Sequence, residues 1–284
     1  MGWGDDLMWL GEAHEIHKQH PDAVIHDGDK QNRFSELWKG HDWVVDTNYQ
    51  GPKKVIVYPR KPNNGNRWYI KGWAPKGHKI IYQPYKPKRA PYVIDPVESL
   101  EAAVLLGRKC NRPFVLINPD TKNTTLADNK NWGMDNWQQL VDLLNRHYDV
   151  VRLKPPKKVQ DVSGLVKYDQ PELEGVIEIR KDNIRDAFAI AAQAEAIITP
   201  EGGLHHFAAA VDVKAFVIYG GVITPDITGY DKQTNYVYDH PQTPCGSQSS
   251  CPHCKEAMKS IKPQTIYEDV REYMDGRFIQ EIGS

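Results

Sequence analysis

Thr199-Pro200-Glu201-Gly202-Gly203-Leu204-His205-His206-Phe207-Ala208-Ala209-Ala210 is the stretch that decides how this 284-residue chain is read. The run Ala196–Thr199 predicts a strand that stops at Pro200; two glycines follow, and an Ala-rich helix opens at once. Glycine permits close backbone approach and unusual dihedrals. The unpartnered N–H groups that open a helix, with the helix dipole, make a ready anion site. Glu201 cannot welcome a phosphate itself, so at the mouth of this turn it is expected to accept from sugar or ribose hydroxyls. A tight strand–helix turn that binds nothing would use the same glycines, so the neighbouring sequence has to decide.

The neighbours repeat the unit. Phe114–Asn118 (FVLIN), Val150–Leu153, Gly175–Ile179 and Ala215–Tyr219 are short apolar runs of the kind buried on both faces. Between them lie helical patterns: Trp137, Leu140, Val141, Leu144 and Tyr148 behind a capping Asp135, then Asn183–Gln193, then Leu204–Val211. Strands alternating with helices of this length predict a doubly wound parallel sheet, with ligands outside the carboxyl ends of its strands. The first hundred residues are less regular. They predict a helix over Asp6–Lys18 and short strands at Ala23–His26, Trp43–Asp46, Val55–Tyr58, Trp68–Ile70 and Lys79–Tyr82, with a polar link at Gly107–Pro113. A final helix is expected over Gln264–Met274.

Composition narrows the class. Eight Trp and fourteen Tyr in a chain of 284 residues supply a core, which excludes a disordered chain and a disulfide miniprotein. No apolar run reaches the roughly 20 residues that cross a bilayer. The opening Met1-Gly2-Trp3-Gly4-Asp5-Asp6 has neither the basic nor the apolar region of a signal peptide, so a cytoplasmic protein is expected. The net charge of −1 hides an imbalance: eleven of the 36 Lys and Arg fall between Thr47 and Ile94, where there is no Asp or Glu and eight aromatics are interleaved. That is either the footprint of a polyanion or a solvated Pro-rich face with core aromatics.

Read together, these segments resemble glycosyltransferase family 9, the heptosyltransferase family. The family's donor pattern is an acidic residue, a small residue, Gly, two more residues and His, then an Ala-rich helix and a strand ending in Gly. Here stand Glu201-Gly202-Gly203-Leu204-His205-His206, Ala208–Ala210 and Ile218-Tyr219-Gly220, with Glu201 where Asp is usual. Gly4-Asp5-Asp6-Leu7-Met8 is similar to the family's N-terminal Gly-Asp turn, and Asn118-Pro119-Asp120 with Lys130-Asn131-Trp132 to its second-domain loop. Cys251-Pro252-His253-Cys254, Met258 and Ile261-Lys262-Pro263 are similar to its Cys-rich tail.

The resemblance implies a GT-B fold, two Rossmann-like domains facing across a cleft. It divides the chain into an acceptor domain (1–108), a nucleotide-sugar domain (109–262) and a last helix (263–284) packing back toward the first domain. The family has a strand before its Gly-Asp turn and this chain starts at the turn, so the first domain is expected to be small, with that strand missing or upstream. The implied reaction is inverting, metal-independent transfer from a nucleoside-diphosphate sugar, which itself is the only small molecule required.

By that resemblance Asp5 is the expected base, with Asp6 the fallback. Donor contacts are expected from Thr121, Lys130, Glu201, Gly202, Gly203, Leu204 and His206, and acceptor contacts from His14, Arg60, Arg67 and Lys71. The acceptor is expected to be anionic, either a phosphorylated lipopolysaccharide core or, as for some phage enzymes, a hydroxymethylated DNA base. The rival expectation is a non-catalytic nucleic-acid- or sugar-binding protein on the same scaffold. Asp27-Gly28-Asp29 is a D-x-D triplet, read as a polar turn before a metal site. Cys245, Cys251 and Cys254, spaced C-x5-C-x2-C, suit Zn²⁺, reduced thiols or a local disulfide, with His240 and His253 the nearest imidazoles.

Overall fold

A computed structural model describes residues 2–29, 35–61, 66–75, 79–122, 124–154, 158–161, 164–169 and 172–282. Thirteen strands lie in chain order among these residues. The first seven are β1 (Ala23–His26), β2 (Lys54–Val57), β3 (Ile70–Trp73), β4 (Ile80–Tyr82), β5 (Phe114–Ile117), β6 (Thr121–Lys122) and β7 (Asp149–Lys154). The rest are β8 (Lys158–Asp161), β9 (Gly164–Asp169), β10 (Ile177–Arg180), β11 (Ala196–Pro200), β12 (Lys214–Gly220) and β13 (Thr234–Val237). The helices begin with α1 (Trp3–Gln19), α2 (Pro96–Lys109), α3 (Thr125–Asp128), α4 (Met134–Leu144) and α5 (Ile184–Ala191). They continue with α6 (Gly203–Val211), α7 (Pro225–Thr228), α8 (Pro252–Ser260) and α9 (Pro263–Ile282).

The fold is α/β. Its centre is a six-stranded sheet in the order β10-β7-β5-β11-β12-β13, every pair parallel. Alternation along each strand feeds two cores. Val115, Ile117, Ala196, Ile198, Phe216 and Ile218 face Trp137, Leu140, Val141 and Leu144 of α4 and Ile266, Val270 and Met274 of α9. Leu116, Val151, Ile197, Ala215 and Val217 face Phe188 and Ile190 of α5 and Phe207 of α6, and this core runs on into Leu7, Met8, Trp9 and Leu10 of α1. The chain leaves β5 for β7 and β10 on one side, then returns to place β11 on the other. That reversal opens a crevice at the carboxyl ends of β5 and β11, where open α/β sheets bind ligands.

The first hundred residues form a smaller assembly. β1 and β2 make a two-stranded parallel sheet, β3 and β4 an antiparallel hairpin, and Trp43–Asp46 contributes an isolated bridge between Val44 and Ile25 in place of a full strand. α2 lies where the sequence pattern predicts no element, capped by Asp95, whose side chain accepts from the Val97 amide. The last helix runs past its expected end, and its buried face lies on α4. Ile266, Val270 and Met274 recur at 4-residue spacing, so one stripe meets the α4 leucines. Among the described residues no helix is long and apolar enough to cross a membrane.

Candidate active site

The turn after β11 lies where the strand order reverses. Gly202 is extended (φ 164°), a backbone any residue adopts, so the expectation of unusual dihedrals does not hold there. Close approach is realised one residue on. A Cβ on Gly203 would lie 3.3 Å from the Gly4 amide nitrogen and 3.4 Å from Trp3 Cβ. A Cβ on Gly4 would meet His206 Cδ2 at 2.7 Å and Gly203 Cα at 3.3 Å. The N-termini of α1 and α6 therefore abut, and the positive ends of two helix dipoles converge on one place.

Asp5, in the first turn of α1, accepts from the Gly2 amide at 3.3 Å and from Arg67 Nη2 at 2.7 Å, and Arg67 Nε lies 2.6 Å from its other oxygen. Glu201 is buried; Lys130 Nζ donates to its carboxylate and Thr228 Oγ1 donates at 3.4 Å. Burial alone would raise the Glu201 carboxyl, but Lys130 and His205 hold it below the usual range. Burial pushes the Tyr69 phenol well up, and Asp5 and Glu201 push it further, so one ring feels carboxylates from both helix turns.

The two histidines have different partners. His205 Nδ1 accepts from the Gly202 amide at 3.0 Å, which leaves Nε2–H to donate to the Thr228 carbonyl at 3.1 Å. His206 Nδ1 lies 2.9 Å from the Tyr230 hydroxyl, and burial, then His205 and Lys130, hold its pKa well below the ordinary value, so it stays neutral. Glu201, His205 and His206 are close enough to share an ion. Lys130 and these hydrogen bonds already engage both histidines and the carboxylate. Leu204 packs partly buried at the start of α6. Thr121 opens β6, its side chain outside the described set.

Asp6 points toward Arg60 and Ser35. It is buried, with Arg60 Nη1 donating at 3.0 Å and Ser35 Oγ at 2.8 Å, and burial pushes its carboxyl up to about 6 against the pull of Arg60. Arg60 also binds Asp27, the first residue of the D-x-D triplet, and lies 4.3 Å above the Trp38 ring. His14 and His17 stack on Trp43. Lys71 is exposed on β3. The basic stretch is thus partly spent on partners within the chain: Arg60 and Arg67 on α1 carboxylates away from solvent, and at the exposed surface Lys86 on Asp231 and Arg89 on Asp212. Most of its rings stack on one another, Tyr58 on Trp68, Trp68 on Tyr85 and Tyr69 on Tyr82, while Trp73 is 45% exposed.

Sequence reasoning missed Arg67 as the partner of Asp5, took Tyr69 only as one of the eight interleaved aromatics, and missed Thr228 and Tyr230 altogether. The last two follow β12 in a segment without a periodic signal; only the fold brings them to the turn.

A doubly wound sheet whose switch-point crevice meets the start of a helix from the N-terminal hundred residues is an α/β arrangement of the GT-B type. The chain belongs to glycosyltransferase family 9 (heptosyltransferase), whose pattern matches residues 84–264. Among solved structures it is similar to the family 9 glycosyl transferase from Veillonella parvula DSM 2008, at 13% identity over 96% of this chain and 94% of that one, with a TM-score of 0.62. It is also similar to the dodecameric iron-containing heptosyltransferase TibC of enterotoxigenic E. coli H10407, seen with ADP-D-beta-D-heptose (13% identity, 96% and 75% covered, TM-score 0.59). A third similar structure is E. coli ADP-heptose lps heptosyltransferase II, at 17% identity, with 69% of this chain and 56% of that one covered and a TM-score of 0.48; this chain spans little more than half of its length. At such identities the likeness to the first two is one of fold. No curated protein matches.

Proposed function

We propose that the chain transfers a sugar from a nucleoside-diphosphate donor to a hydroxyl of an anionic acceptor, with inversion and without a metal in the transfer step. The observation that carries this reading is the meeting of α1 and α6: Gly4 packs on Gly203 and His206, so the helix start that bears Asp5 adjoins the turn that bears Glu201. A base has to lie across from the leaving group for a single inverting displacement, and two adjoining helix starts, once parted by the donor, are consistent with that arrangement. Asp5 would take the acceptor hydroxyl proton as its oxygen attacks the anomeric carbon and the diphosphate departs. Lys130 and the α6 amides would stabilise that diphosphate. Arg67 would have to release Asp5, and Lys130 would exchange Glu201 for phosphate, leaving Glu201 to a donor hydroxyl. A diphosphate between the helices also requires the Gly4–Gly203 contact to open, which makes cleft closure part of the cycle.

The exposed lysines 53, 54, 61, 71 and 79 support an anionic acceptor on the first domain. Both acceptors remain in the proposal. DNA binding that falls steeply with salt favours the hydroxymethylated base, and its absence leaves the lipopolysaccharide core. The Asp5–Arg67 and Lys130–Glu201 pairs are what a binding module without turnover would also show, so turnover must decide. The test is a thermal-shift panel of ADP-, UDP-, GDP- and CDP-sugars, with ADP-linked heptose first because TibC was seen with it, followed by transfer assays of wild type and Asp5→Asn. Transfer by wild type, with loss of about 10²–10⁴-fold in Asp5→Asn and donor binding kept, is expected. A wild type that binds nucleotide diphosphate but turns over no donor would leave only the binding module standing.

A further inference from the structure

We propose that Cys245, Cys251, His253 and Cys254 form a closed metal centre for Zn²⁺ or Fe²⁺, and that the loop it ties braces both sides of the candidate active site. One ligand atom from each of the four lies within 4.8 Å of the others. The local chain explains the gathering. Pro252 opens α8, so Cys251 precedes the helix and Cys254 follows one turn later on the same side. Cys245 arrives from the preceding loop, fixed by its amide on the Gly221 carbonyl at 2.9 Å and by the Gly246 amide on Val222 at 3.1 Å. Cys245 Sγ lies 3.0 Å from Cys254 Sγ, and all four cysteines of the chain are free thiols.

His253 completes a set that spacing alone left at three. Its Nδ1 is 4.0 Å from Cys254 Sγ, while Nε2 faces Thr243 Oγ1 at 3.3 Å. A metal-bound imidazole needs that arrangement: one nitrogen for the ion, the other donating to an oxygen that fixes the ring. Three sulfurs and one imidazole are the donor set of a closed tetrahedral site, suited to Zn²⁺ or Fe²⁺ and unsuited to Mg²⁺ or Ca²⁺. Binding would release the thiol protons, so it tightens as pH rises.

The loop between these ligands touches both halves of the crevice. Asn129, fully buried and next to Lys130, donates from Nδ2 to the Ser247 carbonyl at 3.1 Å and to the Ser249 carbonyl at 2.9 Å, and its Oδ1 accepts from the Cys251 amide at 2.9 Å. On the other side the Gly246 carbonyl accepts from the Ile80 amide at 2.8 Å, and Lys79 bridges Ser247. One metal-closed loop thus fastens the turn of the candidate diphosphate lysine and the β3–β4 hairpin of the first domain. The catalytic consequence rests on the proposed role of Lys130; the metal centre does not.

The test uses the full chain, purified under reducing conditions and loaded with Zn²⁺ or Fe²⁺. Metal analysis should find about one ion per chain, and loading with both ions in competition identifies which is retained. The Co²⁺-substituted protein should show thiolate-to-metal charge transfer, lost in Cys251→Ser and His253→Ala. Stripping wild type with a chelator should speed amide exchange at Ile80, Gly246 and Cys251 on the order of tenfold, with Ile197 and Ile198 of β11 unmoved. No retained metal after loading, or a Cys245–Cys254 disulfide that persists under those reducing conditions, overturns the centre. Metal retained with exchange unchanged on stripping overturns the brace. A stripped protein with faster exchange but full nucleotide affinity supports centre and brace and counts against Lys130 as a diphosphate ligand. Because wild type is stripped and reloaded, the result stands even if a variant fails to fold.

Discussion

The two regions of this molecule each bury an arginine, and the arginines sit in very different frames. Arg152 is fully buried on β7, a strand paired on both sides, and donates to both oxygens of Asp120 at 2.6 and 3.0 Å and to Glu178 at 3.2 Å. Arg60 follows a two-stranded sheet and holds Asp6 of α1 and Asp27 after β1. Backbone ladders carry the second region, with side-chain ion pairs added. In the first, the ion pairs and aromatic stacks do much of what ladders do elsewhere, because an isolated pair of strands is marginal in water.

The largest effect that tests this contrast is Arg60→Ala. It strands two carboxylates in a buried pocket and should cost about 3–5 kcal/mol. Arg152→Ala should cost a similar amount, but the damage should spread differently. Hydrogen exchange should show the first region opening on its own in Arg60→Ala, with β5 and β11 still protected, whereas Arg152→Ala should lower protection across the sheet. Equal loss of protection throughout the chain in both variants would erase the distinction.

A smaller effect separates the two glycines of the α1–α6 contact from the one beside it. Gly4→Ala drives a methyl into His206 and Gly203, and should cost about 1–3 kcal/mol by overpacking. At Gly202 the Cβ meets only the Pro200 carbonyl at 3.9 Å, and the backbone is extended, so Gly202→Ala should shift stability by less than about 0.5 kcal/mol. Urea unfolding of both variants checks the pair; a Gly202→Ala penalty matching that of Gly4→Ala would mean the turn, and not the helix contact, sets the glycine requirement.

How much could be read in advance follows the same division. FVLIN, AIIT and AFVIY announce themselves because a parallel strand covered on both faces is a continuous apolar run. The Glu201-Gly202-Gly203 turn could be placed because strand, glycines and helix follow without a gap. α2 was hidden although Asp95 and Glu98 form a capping box, because Val97, Leu100 and Val104 face outward and only Ala102 and Leu106 are buried, which blurs the stripe. The basic aromatic stretch was legible only as two alternatives. Which arginines are exposed depends on carboxylates in α1 and after β1, tens of residues away, and no local pattern encodes Arg67 meeting Asp5 or Arg60 meeting Asp6.

The smallest effect concerns Asp6, which distinguishes a carboxylate that serves the fold from the one proposed for chemistry next to it. Its folded pKa of about 6 lies above the model-peptide value of 3.8, because burial outweighs Arg60 and Ser35. The folded state therefore holds the proton more tightly. The stability this provides is complete below about pH 4 and is lost as pH rises through about 6. Buried His205 and His206, held below their ordinary range, slope the opposite way by gaining stability as pH rises. Wild type alone mixes these slopes; its difference from Asp6→Asn isolates Asp6. Asparagine keeps an acceptor for Arg60 and Ser35 without a charge to desolvate, so at pH 7.5 the net change should be on the order of 1 kcal/mol or less. The difference between the two melting curves should then vary between pH 4 and 6 and flatten above. A flat difference across that window would mean Asp6 is solvated and ionised like a surface carboxylate, and it would again compete with Asp5 for the role of base.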